Sequence, residues 1–267
     1  VCTDMLIENR HFRLDWSTPH DVGRKAIAQN AADIEAMGGR STAFVVSFGA
    51  PGDTATARAV ELADGMWHEA DLLGAGIVGG DTVQAPQWVI SVAALGDLGG
   101  RNPVRRGGAR PGDLVAVAGE LGRSEAGYRL WDRGIRDFDE LRKRHLVPQP
   151  PYGQGAVAAS AGATAMTDVS DGLLADLGHI ATASGVHIDI TRDALAPDVD
   201  TLTAAAAEIR ADPLQWVLGG GEDHALVATF PAPAPPGWRV LGSVAAGPAR
   251  VTVDGDTWQG NTGWQSF

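Results

Sequence analysis

The residue types that bind phosphates and hard cations are gathered in short segments spread along the chain. Thr3-Asp4 sets a hydroxyl and a carboxylate side by side in what reads as a strand, with His11-Phe12 seven residues further on. Mg2+ takes such oxygen ligands, and a surface aspartate fits the same residues equally well. Asp33, within Asn30-Ala31-Ala32-Asp33-Ile34, shares a helix face with Ala26, Asn30 and Met37. An ionised carboxylate on that stripe is costly unless paired or bound to a cation; alanine tolerates exposure, so a solvent-facing stripe is the other reading. Gly79-Gly80-Asp81-Thr82 couples glycines, which let backbone N–H groups approach an anion, to an acid able to hold the accompanying metal; a tight turn has the same composition. Thr167-Asp168-Val169-Ser170-Asp171-Gly172 runs directly into a helix, where free N–H groups and the helix dipole favour phosphate. Ser170 or Asp171 alone would serve as a cap, but a cap does not account for Asp168, and the segment reads as a metal and phosphate site. Gly219-Gly220-Gly221-Glu222-Asp223-His224 presents two acids on a flexible loop, either a grip for a cationic or hydroxylated substrate or a hairpin-like connection.

Missing motifs narrow the chemistry. There is no G-x-x-x-x-G-K-[ST] loop, and neither Lys25 nor Lys143 follows a glycine-rich turn. Protein-kinase signatures and the G-x-S-x-G elbow are absent too. A triphosphate would then be held through Mg2+ on aspartates rather than by lysine. The 33 Asp and Glu outnumber the 21 Lys and Arg, a formal charge of −12, so no basic field attracts nucleic acid or anionic lipid. No apolar run approaches the about 18 residues of a spanning helix, and the single Cys2 permits neither an internal disulfide nor a Cys-based zinc site; the chain reads as cytoplasmic. It opens at Val1 inside an apparent strand, which leads us to expect a preceding segment.

The elements that must position these residues follow from periodicity and punctuation. Thr18 as N-cap, Pro19, Asp21 and a Gly38-Gly39 stop predict a helix over 19–37. Strands are expected at 1–6, 44–48 and 88–95, and a helix at 54–74 with Val60, Ala63, Trp67 and Ala70 on one face. After the turn-rich Arg105 to Asp113 stretch, strands are expected at 114–118, 164–167, 187–190, 225–230, 240–244 and 251–253, with helices near 122–133, 152–161 and 172–184. Pro231 to Pro236 reads as an exposed, extended connector. The expectation is an α+β chain of two domains, 1–107 and 108–267.

Six segments recur together in order: Cys2 to Phe12, Asn30 to Gly38, Gly79 to Thr82, Arg106 to Asp113, Asp168 to Gly172 and Gly220 to Asp223. This series resembles the thiamine-monophosphate kinases, of the superfamily that includes aminoimidazole ribonucleotide synthetase and selenophosphate synthetase. The resemblance implies ATP-dependent phosphorylation of thiamine monophosphate to thiamine diphosphate. It also implies a homodimer in which the N-terminal sheets of two subunits join into a barrel, with a C-terminal α/β domain on each. Thr3, Asp4, Asp33, Asp81, Asp168 and Asp171 match the family's Mg2+ positions, several ions being implied. Gly80, Asp81, Arg106 and Ser170 match nucleotide contacts, and His11, Glu222 and Trp264 match substrate contacts. A Gly-Asp-Asp-Ala segment would lie ahead of Val1, and His224-Ala225 stands where relatives have Tyr-Glu. A sister activity on another acceptor, or an ATP-sensing dimer without catalysis, would use the same residues.

Overall fold

The computed structural model describes residues 1–264. In chain order its elements are β1 (Cys2–Ile7), α1 (Pro19–Ala36), β2 (Arg40–Ala50), α2 (Thr56–Leu72), β3 (Gly76–Gln84) and β4 (Val89–Asp97), then β5 (Leu114–Ala118), α3 (Arg123–Asp132), α4 (Asp139–Leu146), α5 (Gln154–Ser160), β6 (Ala165–Asp168), α6 (Leu173–Ser184), β7 (His187–Ile190), α7 (Arg192–Ile209), α8 (Pro213–Gly219), β8 (Leu226–Phe230), β9 (Arg239–Ala245) and β10 (Arg250–Val253). The first four strands form one sheet in the order β1-β4-β2-β3 and the last six another, β10-β7-β9-β5-β8-β6. The architecture is mixed α/β in two domains, and the segment between β4 and β5 carries neither helix nor strand. Among the described residues no helix is long and apolar enough to cross a membrane.

In the first sheet, pairing places Cys2, Asp4 and Leu6 of β1 in rows with Ala94, Val92 and Ile90 of β4 and with Phe44, Val46 and Phe48 of β2. This face packs on α1 and α2: Leu6, Phe44, Val46, Ile90 and Val92 share one core with Val22, Ile27, Leu62 and Met66. The second sheet is apolar on both faces through its middle. Val115, Val117 and Val227 join the core that holds α6 and α7, while Ala116, Ala118, Ala228 and Phe230 join Ala36, Val104 and Trp238 on the other side. The continuous apolar runs of β5 and β8 follow from this double burial.

The helix α1 is the seam between the domains. Its start is a capping box, Thr18 Oγ1 accepting the Asp21 N–H at 3.1 Å and the Asp21 carboxylate accepting the Thr18 N–H at 3.0 Å. Near its end, Glu35 accepts the N–H groups of Gly153 and Gly155, both at 2.9 Å, and so caps α5 across the seam. Trp16, just before α1, stacks on Trp131 of α3 with ring centroids 5.8 Å apart.

Several expectations need correction. Gly79-Gly80 is no turn: it lies inside β3, where a Cβ on Gly80 would fall 2.0 Å from the Val46 carbonyl oxygen, so glycine is required by the close approach of β2. The buried face of α2 is Leu62, Gly65, Met66, Glu69 and Ala70, whereas Val60 and Trp67 are exposed. Close approach sets that face, since a Cβ on Gly65 would meet the His20 carbonyl oxygen at 2.0 Å. Helices α4, α7 and α8 had no sequence expectation. α4 is almost wholly polar, α7 carries Pro197 internally, and α8 has only 7 residues.

Candidate active site

The site is built where β6 runs into α6. Asp168, the last residue of β6, is buried, and Gly172 turns the chain with a φ of 131° that only glycine adopts freely. Asp176, one turn into α6, accepts the backbone N–H groups of Asp171 at 3.0 Å and Gly172 at 3.1 Å, which folds the loop back over its own helix. Ligand atoms of Asp171, Asp176 and His179 lie within 4.8 Å of one another. Arg106 flanks this loop, its Nε donating to Thr167 Oγ1 at 3.2 Å.

The glycine-rich loop after α8 docks on the same segment. Glu222 N–H donates to Ser170 O (2.8 Å), His224 N–H to Val169 O (2.9 Å) and Val169 N–H to Ala225 O (2.7 Å), which extends the pairing of β6 with β8. Glycine is required at 221, where a Cβ would fall 2.5 Å from the Ser170 carbonyl oxygen. Glu222 and His224 both hold left-handed φ angles, 65° and 53°. For residues other than glycine such angles cost energy and concentrate at functional sites. Asp223 turns away and caps α3 through the N–H groups of Gly122 and Ser124, with Ser124 at 2.8 Å.

From the other domain, α1 contributes Lys25, Gln29 and Asp33, four residues apart on one stripe, and each reaches a site residue. The fully buried Lys25 ion-pairs with Glu222 and donates to the carbonyl oxygens of His11 (3.1 Å) and His145 (3.4 Å). Burial alone would raise the Glu222 carboxyl; the Lys25 ammonium, with His224, outweighs it and holds the group well below the usual carboxylate range. Gln29 donates to Asp4. Asp33 is half-buried, and burial with Asp168 nearby lifts its carboxyl to about 6. The Cys2 thiol beside it is pushed up to about 12 by burial and by Asp33.

Asp4, Asp33, Asp168 and Asp171 line the seam, with Asp33 within reach of the charges of Asp168 and Asp4, and Asp171 within reach of that of Asp168. Among the described residues no lysine or arginine forms a salt bridge with any of them; only His224 contacts Asp168. Oxygen donors in excess of positive charge are what a hard divalent cation takes, so the residues fit Mg2+.

Other expected site residues lie elsewhere. Thr3 is on the outer face of the first sheet, opposite Asp4, with Oγ1 donating to the Val92 carbonyl oxygen at 2.9 Å. Asp81 is on that outer face too, in a row with Ser47, Ser91 and Met5. His11 Nδ1 accepts the Ile7 N–H at 2.9 Å, leaving Nε2 free of that turn. Trp264 joins the site through its N–H, which donates to the Asp171 carbonyl oxygen at 2.8 Å, and Arg10 lies 5.1 Å over its ring. Residues without a site expectation from the sequence are Lys25, Gln29, Asp176 and His179, and His224 was noted there only as a departure from the family pattern. The signal for the first two was a polar residue every fourth position on a helix otherwise rich in alanine.

The models of the AIR synthase related protein N-terminal and C-terminal domains match residues 1–98 and 110–219. Over 267 residues the chain is 68% identical to the thiamine-monophosphate kinase of Mycobacterium tuberculosis (strain ATCC 25618 / H37Rv), covering all of this chain and 80% of that one. It belongs to the thiamine-monophosphate kinase family. The Corynebacterium glutamicum member is 43% identical over 275 residues, with all of this chain and 83% of that one covered. The solved thiamine monophosphate kinase from Aquifex aeolicus superposes with a TM-score of 0.89 at 31% identity, covering 96% of this chain and 87% of that one. A structure of AaThiL complexed with AMPPCP and TMP gives the same TM-score and identity over 99% of this chain and 86% of that chain. Hydrogenase maturation protein HypE, at 18% identity and a TM-score of 0.75, shares the fold.

Proposed function

We propose that the chain transfers the γ-phosphoryl group of ATP to thiamine monophosphate, forming thiamine diphosphate and ADP. What supports this reading is that Asp33 of the first domain lies within reach of the charge of Asp168 of the second, with no lysine or arginine paired to either among the described residues, in a chain of this family. The domains are assigned as 1–107 and 108–267, a division supported by the two separate sheets.

Both substrates are anions, and the protein carries a formal charge of −12. Mg2+ held by Asp4, Asp33, Asp168 and Asp171 would neutralise and align the phosphates. Arg106 and Ser170, beside these acids, are assigned to the nucleotide, as are Gly80 and Asp81 of β3, of which Asp81 faces outward and would reach the nucleotide of a partner subunit. His11, Glu222 and Trp264 are assigned to thiamine monophosphate. Glu222 has one oxygen committed to Lys25 and its side chain remains 34% exposed, which leaves the other oxygen for a substrate. The attacking phosphate oxygen is ionised near neutral pH, so no protein base is required; catalysis is alignment and charge stabilisation.

The homodimer is assigned to the outer face of the first sheet, where Met5, Val45, Leu95 and Val83 are exposed beside Thr3, Ser47 and Ser91. The deciding assay is ADP release with and without thiamine monophosphate. Release that depends on that acceptor is expected. Equal release in its absence would overturn the acceptor, and no release with it would overturn the kinase reading.

A further inference from the structure

The mechanism above makes no use of His224. Its Nδ1 lies 3.1 Å from Oδ2 of Asp168, and both side chains are only 5% exposed. An ionised carboxylate only accepts, so Nδ1 carries the proton of this bond. The second ring nitrogen, Nε2, is buried and meets no partner among the described residues. His224 therefore serves the protein's own hydrogen bonding through Asp168 alone. Its backbone is held there at cost, with a φ of 53° pinned by the N–H bond to the Val169 carbonyl oxygen at 2.9 Å. A histidine placed only to fill the core would need neither that backbone nor the aim of its Nδ1.

Resting on the kinase reading and its cation site, we infer that His224 is a positioning residue whose Nδ1–H holds the Asp168 carboxylate in the orientation that ligates Mg2+. Partners behind a ligating group fix its direction, and their loss typically weakens metal binding by about 10–100-fold.

The test is direct binding of Mn2+ alone to the full chain, followed by electron paramagnetic resonance, alongside the melting temperature in chelator. His224→Asn keeps an N–H at the Nδ1 position, whereas His224→Gln places its amide further out and His224→Phe has no donor. Binding by the Asn variant should fall within about threefold of the parent, and by the Gln and Phe variants at least about tenfold below it. Should the Phe variant fail to fold, the Asn and Gln pair decides. Equal Mn2+ affinity in the Asn and Gln variants, or a lowered melting temperature with unchanged affinity, overturns the positioning role. Failure of the parent itself to bind, with Asp168→Asn no different, would instead count against the cation site and the reading on which this rests.

Discussion

Trp264 is 57% exposed, yet its backbone is fixed to Asp171 and its ring already carries the Arg10 guanidinium. An indole face that holds one cation is suited to a cationic thiazolium, a contact on the order of 0.5–2 kcal/mol. Trp264→Ala should raise the KM for thiamine monophosphate by up to roughly thirtyfold and leave that for ATP nearly unchanged. An equal rise for both substrates, with a lowered melting temperature, would mean that the ring only closes the fold. Asp33 makes a second case. Burial with Asp168 lifts it to about 6, and burial with Asp168 and Asp171 lifts Asp176 to about 7. Between the ordinary carboxylate value of about 4 and these values the folded chain keeps protons that the unfolded chain has released. Stability of the metal-free protein should therefore fall as pH rises through that window, and Asp33→Asn and Asp176→Asn should each flatten the fall. Melting temperatures measured in chelator across the window check this; slopes unchanged in both variants would count against the raised values.

At the scale of elements, legibility depended on whether the signal was local. The start of α1 follows from Thr18, Pro19 and Asp21, and the junction of β6 with α6 that carries Asp168 and Asp171 was legible because an acid-rich segment directly before a helix is itself a local signal. The face of α2 was misread because two glycines, rather than its large apolar residues, mark the crossing with α1. A Cβ on Gly23 would fall 2.1 Å from the Leu62 carbonyl oxygen, and one on Gly65 would fall 2.0 Å from that of His20. Such contacts lie far apart in sequence and leave no periodic trace. His224 was quoted as a departure from the family pattern, but its bond to Asp168 spans 56 residues and needs the fold to be seen. The two kinds of glycine make opposite predictions. Gly65→Ala should destabilise by about 1–3 kcal/mol through overpacking against α1. Gly178→Ala in α6, where an added Cβ meets nothing within 4 Å, should stabilise by about 0.5–1 kcal/mol through helix propensity. Denaturant unfolding of both variants gives the two signs, and a stabilised Gly65→Ala would refute the close crossing.

For the whole molecule, the two faces of the first sheet present their acids in opposite directions. Asp4 lies on the face that packs on α1, and Asp81 lies on the other, on the far edge of the order β1-β4-β2-β3. Three strand spacings separate them, about 14 Å, so the two acids of one chain cannot grip one ion. If Asp81 acts on nucleotide phosphates, the proposed dimer supplies the reason: an outer face turned toward a partner offers Asp81 to the partner's site. Val45→Glu, in the middle of that face, should give monomers by sedimentation. The sharper consequence concerns complementation. Asp81→Asn and Asp168→Asn chains should each be inactive alone. Co-expressed under different tags, they should form mixed dimers in which one of the two sites has both acids. Random pairing then restores about a quarter of the parent's activity in the mixture, because half the dimers are mixed and half their sites are whole. Were Asp81 to act within its own chain, every site in the mixed dimer would lack one acid and activity would stay at the level of the single variants.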